Sequence, residues 1–117
     1  MILGIGLDVT EIERIKTVHF HTLKFKQRIL SVRELRRFAE LSEKRQLEFL
    51  AGRFAAKEAF AKALGTGIGR NCSFLDIEVL PNENGKPMLY FKGHEVKGYV
   101  SITHTKQFAA AQVILVE

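Results

Sequence analysis

From Ser42 to Leu64 the sequence runs without a proline, and Gly65 follows as a stop signal, so the stretch reads as one long helix. Its apolar residues fall on two faces at helical spacing. Leu47, Leu50, Ala51, Phe54 and Ala61 make one stripe, and Phe49, Ala56, Phe60 and Ala63 make another. A helix that is apolar on opposite sides must be enclosed by the rest of its fold. In a chain of only 117 residues, this one helix dictates the architecture: a single domain, residues 1–117, has to wrap around it.

The flanking segments supply the wrapping. MILGIGL (1–7) reads as a buried strand with small residues for close backbone approach. Thr10, with Glu13 three positions on, has the spacing of a capping box at a helix start. Two or three short helices are expected between 11 and 40. After the long helix the period changes. FLDIEVL (74–80) alternates like a half-buried strand, Asn84-Gly85 marks a hairpin, and PMLYFK (87–92), YVSIT (99–103) and FAAAQVILV (108–116) supply further strands. This order predicts an α+β domain, a long central helix packed on an antiparallel sheet.

The charge is unevenly spread. Residues 14–37 hold eight basic groups (Arg14, Lys16, Lys24, Lys26, Arg28, Arg33, Arg36, Arg37) against one acid, Glu34. That segment is +7 in a chain of net charge +5, so the remainder is −2, and the concentration of basic charge points to an anionic partner. With no tryptophan, two tyrosines and no RNA or DNA motif, the chain lacks a base-reading surface, and no nucleic acid partner is expected. No apolar run approaches the ~20 residues that span a bilayer, so a cytoplasmic protein without a membrane partner is expected. The lone Cys72 forms no internal disulfide. Zinc spacings, a Walker A loop and a Gly-x-Ser-x-Gly elbow are all missing.

Four positions invite chemistry. Asp8 ends an apolar strand just before a helix start, where a carboxylate either satisfies helix N–H groups or serves as a metal ligand. Glu58 falls inside the stripe of Leu47, Leu50, Ala51, Phe54 and Ala61, where an ionised carboxylate needs a cation or dense hydrogen bonding. Lys62, one turn later, either forms a simple salt bridge with Glu58 or steadies phosphate oxygens beside a Mg²⁺ ion held by Asp8 and Glu58. His104 closes a strand ahead of Thr105 and Lys106, a place for an ordinary turn histidine or a phosphate contact.

Three blocks, GIGLDVTEIERI (4–15), FLAGRFAAKEAFAKALGTGIG (49–69) and SITHTKQFAAAQV (101–113), are similar to the 4′-phosphopantetheinyl transferase superfamily. Its Lys-Glu-Ala-x-x-Lys pattern stands here as Lys57-Glu58-Ala59-Phe60-Ala61-Lys62. The resemblance implies that superfamily's fold and transfer of the 4′-phosphopantetheine arm of coenzyme A to a serine of acyl carrier protein, in support of fatty acid synthesis. It implies Mg²⁺ held by Asp8 and Glu58, with Lys62 as a third catalytic residue and Glu58, directly or through a metal-bound water, as proton acceptor. Around the coenzyme it places Lys62, His104, Thr105, Arg53, Lys57, Gly65, Asn84, Gly85 and Pro87. For carrier docking it implies Arg14, Lys24 and Arg28 with Phe25 as apolar anchor. It further implies a homotrimer with active sites at the subunit boundaries, FLDIEVL and the final strand serving as interface elements. A non-catalytic scaffold for an acidic protein is the rival reading, against which Asp8, Glu58 and Lys62 are all in place.

Overall fold

The computed structural model describes all 117 residues. Strand β1 (Ile2–Glu11) leads into helices α1 (Ile12–His21), α2 (Phe25–Ile29) and α3 (Val32–Ala39), then the long helix α4 (Glu43–Leu64). A 3-10 turn (Phe74–Asp76) precedes β2 (Ile77–Pro81), β3 (Pro87–Phe91), β4 (His94–Glu95), β5 (Gly98–His104) and β6 (Phe108–Val116). The expected α+β domain is present, with two antiparallel three-stranded sheets, ordered β1-β6-β5 and β2-β3-β4. No helix is long and apolar enough to cross a membrane.

Helix α4 is the hub. Ser42 caps its start, the side chain accepting from the Arg45 amide, and Gly65 ends it at φ 93°, a left-handed conformation that glycine adopts without strain. Residues on every side of α4 are buried. Ala55, Ala56, Ala59, Phe60, Ala61 and Ala63 join Val79, Leu89, Ala111 and Val113 in one core, while Leu50 and Ala51 join Ile15, Ile29, Leu30 and Phe38 in a second. The small residues have a purpose at β1. A Cβ on Gly6 would stand 1.7 Å from the Ala59 carbonyl oxygen, and one on Gly4 would stand 1.9 Å from that of Ala63. Bare glycine backbone therefore lies directly on the helix. Because side chains alternate along a strand, Gly4, Gly6, Asp8 and Thr10 share that helix-facing side.

The structure corrects three local expectations. Residues 1–7 are not buried on both faces: Ile5, Leu7 and Val9 are 57%, 58% and 61% exposed on the sheet side away from α4. Thr10 caps nothing; β1 continues to Glu11, and the Thr10 hydroxyl instead donates to Asp8 Oδ2 at 2.9 Å. FLDIEVL is only half a strand. Ser73 and Asp76 close a capping box around the 3-10 turn, and pairing begins at Ile77. The Asn84-Gly85 hairpin forms as read, with Gly85 at φ 83° and the Asn82 side chain accepting from the Asn84 and Lys86 amides.

Candidate active site

Asp8 and Glu58 arrive at one place from two rigid elements. β1 presses its glycines onto α4, and the next inward residue is Asp8, facing the turn of α4 that bears Glu58 and Lys62. These three, with Arg14 of α1, Phe25 of α2 and Phe54 of α4, line a cleft of about 390 Å³. Lys62 Nζ donates to the Leu7 carbonyl at 3.0 Å and lies 3.4 Å from Asp8 Oδ1, so the salt bridge it makes is with Asp8. Asp8 is thereby held by a hydroxyl on one oxygen and an ammonium on the other.

Burial, reinforced by the negative charge of Asp8, raises the Glu58 carboxyl above its ordinary value, while Lys62 pulls it back. Two carboxylates that repel each other inside a partly enclosed cleft constitute a demand for positive charge. No cage of three or more His, Cys, Asp or Glu side chains exists anywhere in the molecule. The donor set is therefore wrong for a zinc-type site. It fits a hard cation such as Mg²⁺, which takes one or two carboxylates and completes its shell with water and phosphate oxygens.

A second cavity, about 420 Å³, shares no lining residue with the first. It collects Arg53, Gly85 and His104 from the expected coenzyme residues, and adds Arg37, Arg45 and Glu48. The Arg53 guanidinium sits 4.3 Å from the Phe49 ring centroid and donates to the Val79 carbonyl, and burial lowers its pKa from the usual arginine range. His104 Nε2 stands 3.4 Å from Glu48 Oε2. Asn84, Pro87, Thr105 and Gly65 do not line either cavity. Thr105 holds the β5–β6 turn by accepting from the Gln107 and Phe108 amides.

Lys57 is a correction. Instead of reaching a coenzyme phosphate, it is fully buried, with Nζ donating to Glu34 Oε1, to the Ile29 carbonyl and to the Phe74 carbonyl. Burial lowers its pKa and Glu34 opposes that shift, while no donor is left for a ligand. Lys24 and Arg28 are exposed beside the cleft without lining it.

The comparison with known proteins decides the lineage. The sequence profile of the 4′-phosphopantetheinyl transferase superfamily matches residues 4–114. The chain belongs to that superfamily. Among similar transferases is a holo-[acyl-carrier-protein] synthase of Bacillus subtilis, 57% identical over 116 residues that cover 98% of this chain and 96% of that one. A crystal structure of a holo-(acyl-carrier-protein) synthase from Bacillus anthracis in complex with CoA (3′,5′-ADP) superposes with a TM-score of 0.88 at 48% identity, covering 98% of this chain and 96% of the other. The Helicobacter pylori holo-[acyl-carrier-protein] synthase in complex with coenzyme A gives 0.82 at 31% identity, covering 96% and 99%. Sequence reasoning did not single out Thr10, Arg37, Arg45 or Glu48 as parts of this phosphopantetheinyl transferase's two cavities. Arg37 left a trace in the sequence as part of the basic segment 14–37, and Thr10 only as a helix-cap spacing.

Proposed function

We propose that this transferase moves the 4′-phosphopantetheine group of coenzyme A onto a serine hydroxyl of apo-acyl carrier protein, giving holo-acyl carrier protein and adenosine 3′,5′-bisphosphate. The convergence of Asp8, Glu58 and Lys62 on one cleft, next to the basic α1–α2 surface, carries the reading. The serine Oγ forms a bond to the phosphorus that bears pantetheine. The bond from that phosphorus to the bridging oxygen breaks, and its electron pair leaves with the adenosine bisphosphate. Glu58, at the cleft beside Lys62, accepts the serine proton directly or through a water. Lys62 has one N–H free of its two present partners, and that donor is available to a phosphate oxygen as charge grows there. Asp8 and Glu58 would hold Mg²⁺, which supplies charge neutralisation at the pyrophosphate.

Arg14 and Phe25 at the cleft edge, with exposed Lys24 and Arg28, form the docking surface for the acidic carrier protein. The nucleotide end of coenzyme A goes to the basic cavity of Arg53, Gly85 and His104. The two cavities share no lining residue, and in this reading a complete site joins the carboxylate cleft of one subunit to the basic cavity of another. The exposed apolar row of Ile5, Leu7 and Val9 supplies the contact between copies, and a homotrimer gives three such sites.

The test is intact-mass spectrometry of apo-acyl carrier protein incubated with the transferase, coenzyme A and Mg²⁺, with and without EDTA. A gain of about 340 Da, the mass of one phosphopantetheine group, only where metal is present is the expected result. Glu58→Gln is expected to abolish the gain with the fold intact. Near-normal transfer by that variant would remove Glu58 from the reaction.

A further inference from the structure

The Lys57–Glu34 pair has no partner among the reacting groups, yet it is the most deeply enclosed charge pair in the molecule, each side chain 0% exposed and the two 2.6 Å apart. Buried ion pairs are weak devices for stability, because desolvation offsets most of the attraction. What this one does is join elements. Lys57 of α4 grips the Ile29 carbonyl at the end of α2 at 2.6 Å and the Phe74 carbonyl of the 3-10 turn at 3.0 Å. Glu34 of α3 accepts the Ser31 amide at 2.9 Å on the same oxygen that meets Lys57, and the Val79 amide of β2 at 2.8 Å on the other.

The cleft wall is built on the same elements. Phe25 begins α2 and lines the cleft; its ring lies 6.3 Å from that of Phe54, which stacks on Phe74 at 5.2 Å. Lys57 therefore holds the backbone at the far end of α2 and at the far end of the aromatic row. Helix α2 has only five residues, too few to persist alone. Its sole hydrogen bond to α4 is the one from Lys57.

We infer that Lys57, through Glu34, is a positioning residue for the carrier-docking wall, setting where Phe25 and Arg28 stand relative to Glu58, the next residue along α4. The inference rests on the transfer reaction proposed above. It divides the Lys-Glu-Ala-x-x-Lys segment by role: Glu58 and Lys62 face the cleft, and Lys57, about 100° around the helix from Glu58, points into the core to fix the wall that receives the protein substrate.

The test compares the wild type with Lys57→Met/Glu34→Gln. This double variant leaves no unpaired buried charge; the side-chain amide introduced by Glu34→Gln keeps its oxygen as acceptor for Val79, while its nitrogen no longer accepts from Ser31. Amide hydrogen exchange at Arg28, Ile29 and Leu30 is read alongside steady-state transfer with carrier and coenzyme varied separately. In the wild type those amides are expected to be protected well beyond what a five-residue helix alone would give; exchange at the rate of an unstructured segment overturns the inference whether or not the variant folds. In the double variant α2 protection is expected to fall while α4 keeps its own. The KM for carrier is then expected to rise about tenfold or more, with the coenzyme KM within about twofold. Unchanged α2 protection, or an equal rise in both KM values, overturns it. Wild type that transfers nothing refutes the reaction itself, and the exchange data still decide the lock.

Discussion

Replacing Gly6 with alanine tests the central geometric claim, that bare backbone contact between β1 and α4 sets the position of Asp8. The new methyl would stand 1.7 Å from the Ala59 carbonyl oxygen and 2.9 Å from the Ala63 nitrogen, whereas ordinary contact begins near 3.4 Å. The strand must then back away by roughly 1.7 Å at that point, because the obstacle is helix backbone and no side-chain rotation relieves it. Overpacking of this kind costs about 3 kcal/mol or more, at the upper end of the usual range, since neither partner yields. In a chain of this size that lowers the melting temperature by roughly 10–20 °C. Asp8, two residues along the same face, moves with the strand, and the Lys62 bond to the Leu7 carbonyl lengthens. A displacement of about an ångström at a reacting group costs on the order of a hundredfold in turnover. Thermal denaturation and intact-mass kinetics on the same preparation read both effects. Gly69→Ala is the control: its added methyl meets nothing within 4 Å, so the change is expected within about 0.5 kcal/mol. A Gly6→Ala protein as stable and as active as the wild type refutes the close-approach argument.

Arg14→Glu is expected to raise the carrier KM by about tenfold and leave the coenzyme KM nearly unchanged, with the difference shrinking in high salt. Equal losses for both substrates would contradict the docking assignment. Ile5→Lys places a charge on the exposed face of β1, so sedimentation is expected to show three subunits for the wild type and one for the variant; a monomeric wild type refutes the shared site. Hydrogen bonding from Arg33, with help from Ser31, holds the Glu78 carboxyl below its ordinary value of 4.5. Its stabilising contribution is thus present above that value and is lost as pH falls through the lower folded-state value. Melting curves of Glu78→Gln and wild type are expected to differ at pH 7 and to converge under acid, and a gap that widens on acidification would reverse the assigned sign.

How much of this was legible depends on what each residue type can reveal. Asp8 and Glu58 stood out because a carboxylate within an apolar pattern demands an explanation, and the explanation is the cleft. The long helix and its two ends were readable from spacing, Ser42 and Gly65. Lys57 was not, since a lysine on a helix reads the same whether it faces solvent or a buried glutamate a long way off in sequence. Thr10 had the right spacing for a cap, yet Asp8 competes for its hydroxyl and the strand runs on through it. The mirror case is Ser73, whose spacing to Asp76 is itself a capping signal that the alternation of FLDIEVL obscures. Strand 1–7 reads as enclosed because an apolar run looks alike whether its second face is covered by the same chain or left open, as Ile5, Leu7 and Val9 are.

The pairing of β1 with β6 joins opposite ends of the sequence, Asp8 standing across the ladder from Ala111. A chain made only as far as α4 therefore holds Asp8 on a strand whose only ladder neighbour is still unmade. Closing so distant a contact is the slow, entropy-limited part of folding. Until residues 108–116 leave the ribosome, the apolar residues of β1 are an open edge with no partner, the kind of segment that chaperones hold and aggregates recruit. The glycine contact with α4 brings Asp8 to Glu58, and pairing with β6 is what fixes the strand there.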